Sequence, residues 1–186
     1  MGSKQLFDNM NMTIPKVMLA LCGLICSMAD SAAGRIPALI PEPQQVEWTG
    51  GELACSHYRV IAPHEAAFTV SELEQMLAGA KRDSAGVPIK LCLGPLASTN
   101  AEAYALDATA NGVVITAPKM AGLFYGVQTL RQLLACGTKL LCCHIEDWPE
   151  FPMRGFMHDT GRNFQTIASL KTQLDIFAAY KLNVFH

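Results

Sequence analysis

A chain of 186 residues that is 51% hydrophobic and 16% charged can bury a core, and it is long enough for one domain or for one domain and part of another. Its formal net charge of -2 comes without any cluster of Lys and Arg that could track a phosphate backbone, which excludes nucleic acid as a partner.

In chain order, the first signal is Lys16 ahead of an apolar run over residues 17–28, closed by small residues in ADSAAG. A basic flank, a short apolar core and small residues describe a secretory signal, too short to span a bilayer. We expect a signal peptide over residues 1–33, cut after Ala29 or Ala33, an exported protein (periplasmic or extracellular) and no stable membrane span. Met12 is an alternative start. Cys22 and Cys26 leave a lipoprotein anchor open, although Leu21 and Ile25 stand where a small residue is wanted. Beyond the signal, Cys55, Cys92, Cys136, Cys142 and Cys143 remain, an odd set that leaves at least one thiol unpaired within the chain. Cys142, Cys143 and His144 lack a second ligand pair at a zinc spacing. We therefore expect no metal and no cofactor, and read these cysteines as small buried hydrophobes on a strand.

Prolines 37, 41 and 43 make residues 36–48 an extended entry segment. Residues 58–61 read as a strand. Residues 66–80 carry Phe68, Val70, Leu73, Met76 and Leu77 on one helical stripe, which Gly79 helps to end. Residues 87–93 read as a strand with Ile89, Leu91 and Leu93 on one face. Residues 103–108 and 113–117 flank Asn111-Gly112, a tight-turn pair that predicts an antiparallel hairpin. Residues 121–134 form a second helix with a Leu123, Val127, Leu130, Leu134 stripe and Gly137 as its C-cap, and residues 140–145 a last strand. Together they predict an α+β domain over residues 36–148, with helices on one face of a mostly antiparallel sheet.

The pattern then changes. Residues 153–159 read as a strand and 167–181 as a helix with Thr166 as N-cap and Ile167, Leu170, Leu174, Phe177 and Ala178 facing inward. Residues 182–186 restart an apolar strand. Strand, helix and strand make one βαβ unit, which wants a parallel sheet.

The segments Ile145-Glu-Asp147-Trp-Pro149-Glu-Phe151-Pro-Met-Arg154-Gly155, Asp159-Thr-Gly-Arg162-Asn-Phe164 and Tyr180-Lys-Leu182-Asn-Val-Phe185-His186 resemble the opening of the catalytic domain of family 20 glycoside hydrolases, the β-N-acetylhexosaminidases. Upstream, Gly122-Leu-Phe-Tyr-Gly126-Val127-Gln-Thr129-Leu130 resembles the last helix of their accessory domain. Each piece is weak alone; the ordered set is specific. The resemblance implies an accessory domain followed by the first βαβ unit, residues 151–186, of a truncated TIM (β/α)8 barrel. It further implies substrates ending in N-acetylglucosamine or N-acetylgalactosamine. In the family an adjacent Asp-Glu pair does the chemistry, with the substrate's own acetamido oxygen as nucleophile. The pair Glu146-Asp147 lies ahead of the first barrel strand, so no catalytic residue is assigned and this chain alone is expected to be inactive.

By the same resemblance Arg162 binds sugar hydroxyls, a role its planar five-donor guanidinium suits. Read from the residues alone, Arg162 and Asp159 could instead be an ion pair that only pins the loop; the two roles are compatible. Asp159 and His186 are near-site candidates. His158 and Trp148 read as structural, Lys171 and Asp175 as a surface pair, and Arg154 and Asp147 as residues holding the junction together. The competing function is a stand-alone secreted carbohydrate-binding or adaptor domain without catalysis. A zinc hydrolase finds no His-Glu-x-x-His. A lone βαβ unit, with unpaired strand edges and no layered interior, is also expected to be poorly ordered or aggregation-prone.

Overall fold

The computed structural model describes residues 36–135 and 139–186. The expected signal peptide, its cysteines, Cys136 and the Gly137 cap all lie outside the described residues. Among the described residues the first element is strand β1 (Gln45–Ala54), followed by β2 (His57–Ile61), a single 3-10 turn (His64–Ala66) and helix α1 (Ala67–Met76). Then come β3 (Lys81–Arg82), β4 (Val87–Leu93), β5 (Tyr104–Thr109), β6 (Gly112–Ala117), helix α2 (Met120–Leu134) and β7 (Lys139–Asp147). These strands make one seven-stranded sheet in the order β1-β7-β5-β6-β4-β2-β3.

The helix-on-sheet layer matches the sequence, but the sheet is mixed where a mostly antiparallel one was expected. β1–β7, β5–β7 and β5–β6 run antiparallel, whereas β2–β3, β2–β4 and β4–β6 run parallel. The cause is connectivity: α1 carries the chain back over the sheet, so β4 returns beside β2 in the same direction. The hairpin register pairs Thr109 with Gly112, so the turn residues are Ala110 and Asn111. Gly112 instead starts the returning strand at φ 141°, where a Cβ would lie 2.5 Å from the Pro88 carbonyl oxygen. The entry segment becomes strand from Gln45 onward. Gly50 and Gly51, at φ 80° and 87°, carry the irregularity in β1's pairing with β7 between Trp48 and Glu52. Helix α1 is four residues shorter than expected at its C-terminal end, stopping at Met76.

One core forms between the sheet and both helices. Ile89, Leu106, Ile115 and Ile145 from the sheet meet Leu73, Leu123, Val127 and Leu130 from the helices, all fully or almost fully buried. Each such side chain contributes roughly 1.5–3 kcal/mol relative to an exposed one.

The last elements are β8 (Gly155–Phe156), helix α3 (Ile167–Ala179) and β9 (Val184–Phe185). β8 and β9 pair in parallel as a separate two-stranded sheet, Gly155 opposite Val184 and Phe156 opposite Phe185. The βαβ unit is therefore as predicted, with shorter strands and with Thr166 capping Ser169 N at 3.1 Å. The α3 stripe departs from expectation. No α3 residue is fully buried, and Ile167 and Leu174 are exposed, while Phe177 is half-buried and packs against Phe156 of β8 and Phe185 of β9. Nor is the unit without support, since it docks on the accessory domain and residues 36–186 form one compact body. The Lys171–Asp175 pair is not formed; among the described ion pairs neither residue takes part. No helix among the described residues is long and apolar enough to cross a membrane.

Candidate functional site

Because β8 and β9 are parallel, their C-terminal ends lie side by side. His158 N donates to His186 O at 2.8 Å and His186 N to Phe156 O at 3.0 Å, which extends the ladder past both strands. Phe156 and Phe185 stack on Phe177 of α3, with centroids 4.9 and 5.7 Å away. Strand alternation then turns their neighbours Met157 and His186 to the face away from α3. His158 shares the Phe156 side, 6.2 Å from that ring, and its Nε2 has no hydrogen-bond partner among the described residues.

The loop after β8 folds around one carboxylate. Asp159 Oδ1 accepts from Gly161 N at 2.9 Å and from Arg162 N at 3.0 Å, while Asp159 Oδ2 accepts from Arg162 Nε at 2.6 Å. The guanidinium hydrogen bond, with help from the backbone amides, holds the Asp159 carboxyl below its ordinary pKa. Arg162 is 87% exposed and its Nη1 and Nη2 make no hydrogen bond among the described residues. The loop-pinning pair read from sequence is thus present, and it occupies one edge of the guanidinium only. Asp159, Arg162 and His186 all sit at the same end of the strand pair.

The opposite, N-terminal ends are tied to the accessory domain. Arg154, just before β8, bonds Glu102 Oε2 at 2.6 Å through Nη2 and donates from Nε to Lys181 O at 2.8 Å. Its guanidinium also lies 5.5 Å over the Tyr125 ring. Lys181, just before β9, donates from Nζ to Asp147 Oδ2 at 2.7 Å and to Tyr104 Oη at 2.9 Å. Tyr104 donates to Asp147 Oδ2 at 2.9 Å and sits 2.6 Å from Thr129 Oγ1. Burial lowers the Lys181 pKa against the opposing pull of Asp147, and burial with the Asp147 charge raises that of Tyr104. A cleft of 270 Å³ runs along this junction between Trp148, Tyr125, Glu102 and Arg154.

Arg154 and Asp147 therefore hold the junction as the sequence suggested, with Trp148 half-buried beside them and its carbonyl accepting from Gln44 Nε2 at 3.2 Å. Lys181, Tyr104 and Thr129 were missed. The only local hint was Lys181 falling between the end of the α3 stripe at Ala178 and the restart at Leu182, the place where a helix turns into a strand. Glu146 and Asp147 point to opposite faces of β7: Glu146 stands 3.5 Å from His144 on the open face, and Asp147 is buried in the junction. Among the described residues no group of three or more His, Cys, Asp or Glu is arranged to hold a metal.

A helix-backed mixed sheet is thus joined to a parallel βαβ unit that carries a polar loop at its strands' C-terminal ends. The description glycosyl hydrolase family 20, domain 2, matches residues 36–148, and glycosyl hydrolase family 20, catalytic domain, matches residues 151–186. The chain belongs to glycosyl hydrolase family 20. It is 30% identical to a beta-hexosaminidase of Porphyromonas gingivalis across 89% of this chain and 25% of that protein. It is 33% identical to a beta-N-acetylhexosaminidase of Cellulomonas fimi across 80% of this chain and 34% of that protein. Among solved structures, the N-acetyl-beta-hexosaminidase of Streptomyces plicatus in complex with Thio-NAglucal superposes with a TM-score of 0.70 at 33% identity, covering 84% of this chain and 36% of that one. The chain thus spans a quarter to about a third of the length of these relatives.

Proposed function

We propose that this chain supplies the accessory domain and the first βαβ unit of the catalytic (β/α)8 barrel of an exported β-N-acetylhexosaminidase, with Arg162 as a sugar-binding residue. The substrates are glycans ending in N-acetylglucosamine or N-acetylgalactosamine. One observation carries the reading: Asp159 engages Arg162 at Nε and leaves both terminal nitrogens open, at the strand ends that barrels use for their active face. A guanidinium steadied at one edge offers two parallel donors at the other, and two neighbouring ring hydroxyls fit that fork.

Family 20 is among the substrate-assisted exceptions to the two-carboxylate scheme. The sugar's acetamido oxygen attacks the anomeric carbon, an acid protonates the departing oxygen, and water later restores the configuration. The residues of this chain contribute binding and orientation to that sequence. Glu146 and Asp147 are turned apart on β7, away from the strand ends, and cannot act as the acid pair. The 186-residue chain by itself therefore does not hydrolyse the bond.

The test joins residues 36–186 to the remaining catalytic domain of the Cellulomonas fimi relative and measures release from a p-nitrophenyl N-acetyl-β-glucosaminide. The chimera should turn over. Arg162→Ala should lower kcat/KM about 100-fold, since losing two charge-assisted hydrogen bonds removes roughly 3 kcal/mol. A chimera indifferent to that change, or turnover by the 186-residue chain that Arg162→Ala abolishes, refutes the reading.

A further inference from the structure

Lys181 holds a backbone position that glycine normally takes. It follows the last residues of α3 in the left-handed region, at φ 60°. Leu182 N donates to Phe177 O at 2.9 Å and Lys181 N to Ala178 O at 3.0 Å, the two bonds of a Schellman helix ending. A Cβ crowds the backbone there, so a lysine is disfavoured in that conformation. What lysine has and glycine lacks is reach. Its Nζ crosses into the accessory domain and meets Asp147 and Tyr104, with the side chain 8% exposed. Asp147 in turn accepts from Gln44 N at 3.3 Å, and Tyr104 meets Thr129 of α2. The strained residue is thus fastened directly to β7 and β5, and through Tyr104 to α2.

The second tie is interlocked with the first. Arg154 Nε donates to the carbonyl of Lys181 itself, Arg154 N donates to Asn183 Oδ1 at 2.9 Å, and Asn183 Nδ2 donates to Glu102 Oε1 at 3.3 Å. Every one of these bonds lies at the N-terminal end of β8 or β9. Asp159, Arg162 and His186 lie at the other end of the same two strands.

We infer that Lys181 is a positioning residue: by drawing it into the left-handed conformation, Asp147 sets where β9 starts, and through Arg154 fixes the strand pair that carries the Arg162 grip. What Arg162 binds rests on the function proposed above; the coupling does not. A buried ion pair is weak evidence for stability, since apolar residues of similar volume often do as well, and its best-attested use is to fix one register.

Lys181→Gly separates the two roles because they predict opposite signs. As a helix terminator alone, glycine suits the site and the change should strengthen local order. As a clamp, the change cuts the tie. The measurement is NMR on the full 186-residue chain, following backbone amide exchange and the arginine Nε–H resonances. The amides of Asn183, Val184 and His186, which bond Arg154 O and Phe156 O, should lose protection about 100-fold, the scale of a broken buried ion pair. The Arg162 Nε–H should shift towards that of a free arginine, while the core amides of Leu106 and Ile115 keep their protection. Asp147→Asn, which keeps the shape and removes the charge, should move the same signals in the same direction. Unchanged or increased protection at the three amides with an unmoved Arg162 signal overturns the inference. Loss of accessory-core protection in both variants overturns it too, because the network would then hold that core and not the strand pair. A chimera indifferent to Arg162→Ala, alongside the expected NMR changes, would sink the sugar-grip reading and spare the coupling.

Discussion

Helix α2 lies so close to the sheet that Gly122 has no room for a side chain. A Cβ built there falls 2.0 Å from the Ala103 carbonyl oxygen, 2.8 Å from Ala117 Cβ and 3.0 Å from the Ala103 carbonyl carbon. The worst contact is backbone against backbone, so no rotamer change relieves it. An ordinary contact of about 3.4 Å requires α2 and the approach to β5 to separate by about 1.4 Å, which opens the layer under Leu123 and Val127. Two terms oppose each other in Gly122→Ala. Alanine gains about 1 kcal/mol over glycine inside a helix. Overpacking costs about 1–3 kcal/mol, and a clash with main chain sits at the upper end. The net is about 2 kcal/mol of destabilisation, or a melting temperature lower by about 4–8 °C for a body of this size. Thermal unfolding followed by circular dichroism reads it, with Gly79→Ala as the control. A Cβ at Gly79 would meet nothing within 4 Å, and the residue has no positive φ, so that variant should melt at the wild-type temperature or slightly above. If Gly122→Ala melts at or above wild type, α2 does not seat this closely. The seat matters for the site because Gln132 of α2 donates to Ala179 O at 3.1 Å and Thr129 belongs to the Lys181 network.

Two further outcomes follow from the open face and the core. His144 Nδ1 lies 2.6 Å from Asp107 Oδ1, and that hydrogen bond raises the imidazole pKa above its ordinary value. A raised folded-state pKa stabilises fully below the unfolded value of about 6.5, and the contribution fades as pH rises through the folded one. His144→Ala should therefore lower the unfolding midpoint more near about pH 5.5 than near about pH 8.5, and equal shifts at the two would show that the pair contributes nothing. Cys143 is buried, and desolvation pushes its thiol up to about 12. In the native chain at neutral pH iodoacetamide should leave Cys143 unmodified in peptide mapping while denaturant exposes it; rapid native labelling would contradict the burial.

How much of this was legible depends on the range of the interaction. The sequence pattern places β4 at its observed bounds and α2 within one residue, because periodicity of 2 or 3.6 is written into neighbouring residues. The hairpin is legible from Asn111-Gly112, yet its turn falls one residue earlier than that pair suggests: Gly112 meets a close approach from Pro88 on β4, a strand the turn signal says nothing about. β1 runs on past Trp48, where the expected entry segment ends, because Gly50 and Gly51 form an irregularity inside a longer strand. The parallel pairings inside the seven-stranded sheet were invisible for a related reason, since which strands become neighbours is decided across the chain, whereas the β8–β9 pairing was legible from the strand-helix-strand order. In the site, Asp159 and Arg162 are three residues apart and their pairing was anticipated. Lys181 and Asp147 are 34 apart, and a lysine at the end of an apolar helix looks like an ordinary solvated terminus.

The placement of charge argues that the junction is built for geometry more than for adhesion. Among the described residues the large exposed apolar side chains concentrate in residues 151–185, among them Phe151, Met153, Phe164 and Ile167. Hydrophobic contact was therefore available to this segment for docking on the accessory domain. The polar contacts across the junction are directional: Arg154 to Glu102, Lys181 to Asp147 and Tyr104, and Asn183 to Glu102. Apolar surfaces slide over one another at little cost, whereas a forked guanidinium and a buried ammonium with two fixed partners admit one arrangement. For strands only two residues long, whose own ladder fixes little, that directionality is what sets the distance from the accessory sheet to the far ends where Arg162 stands.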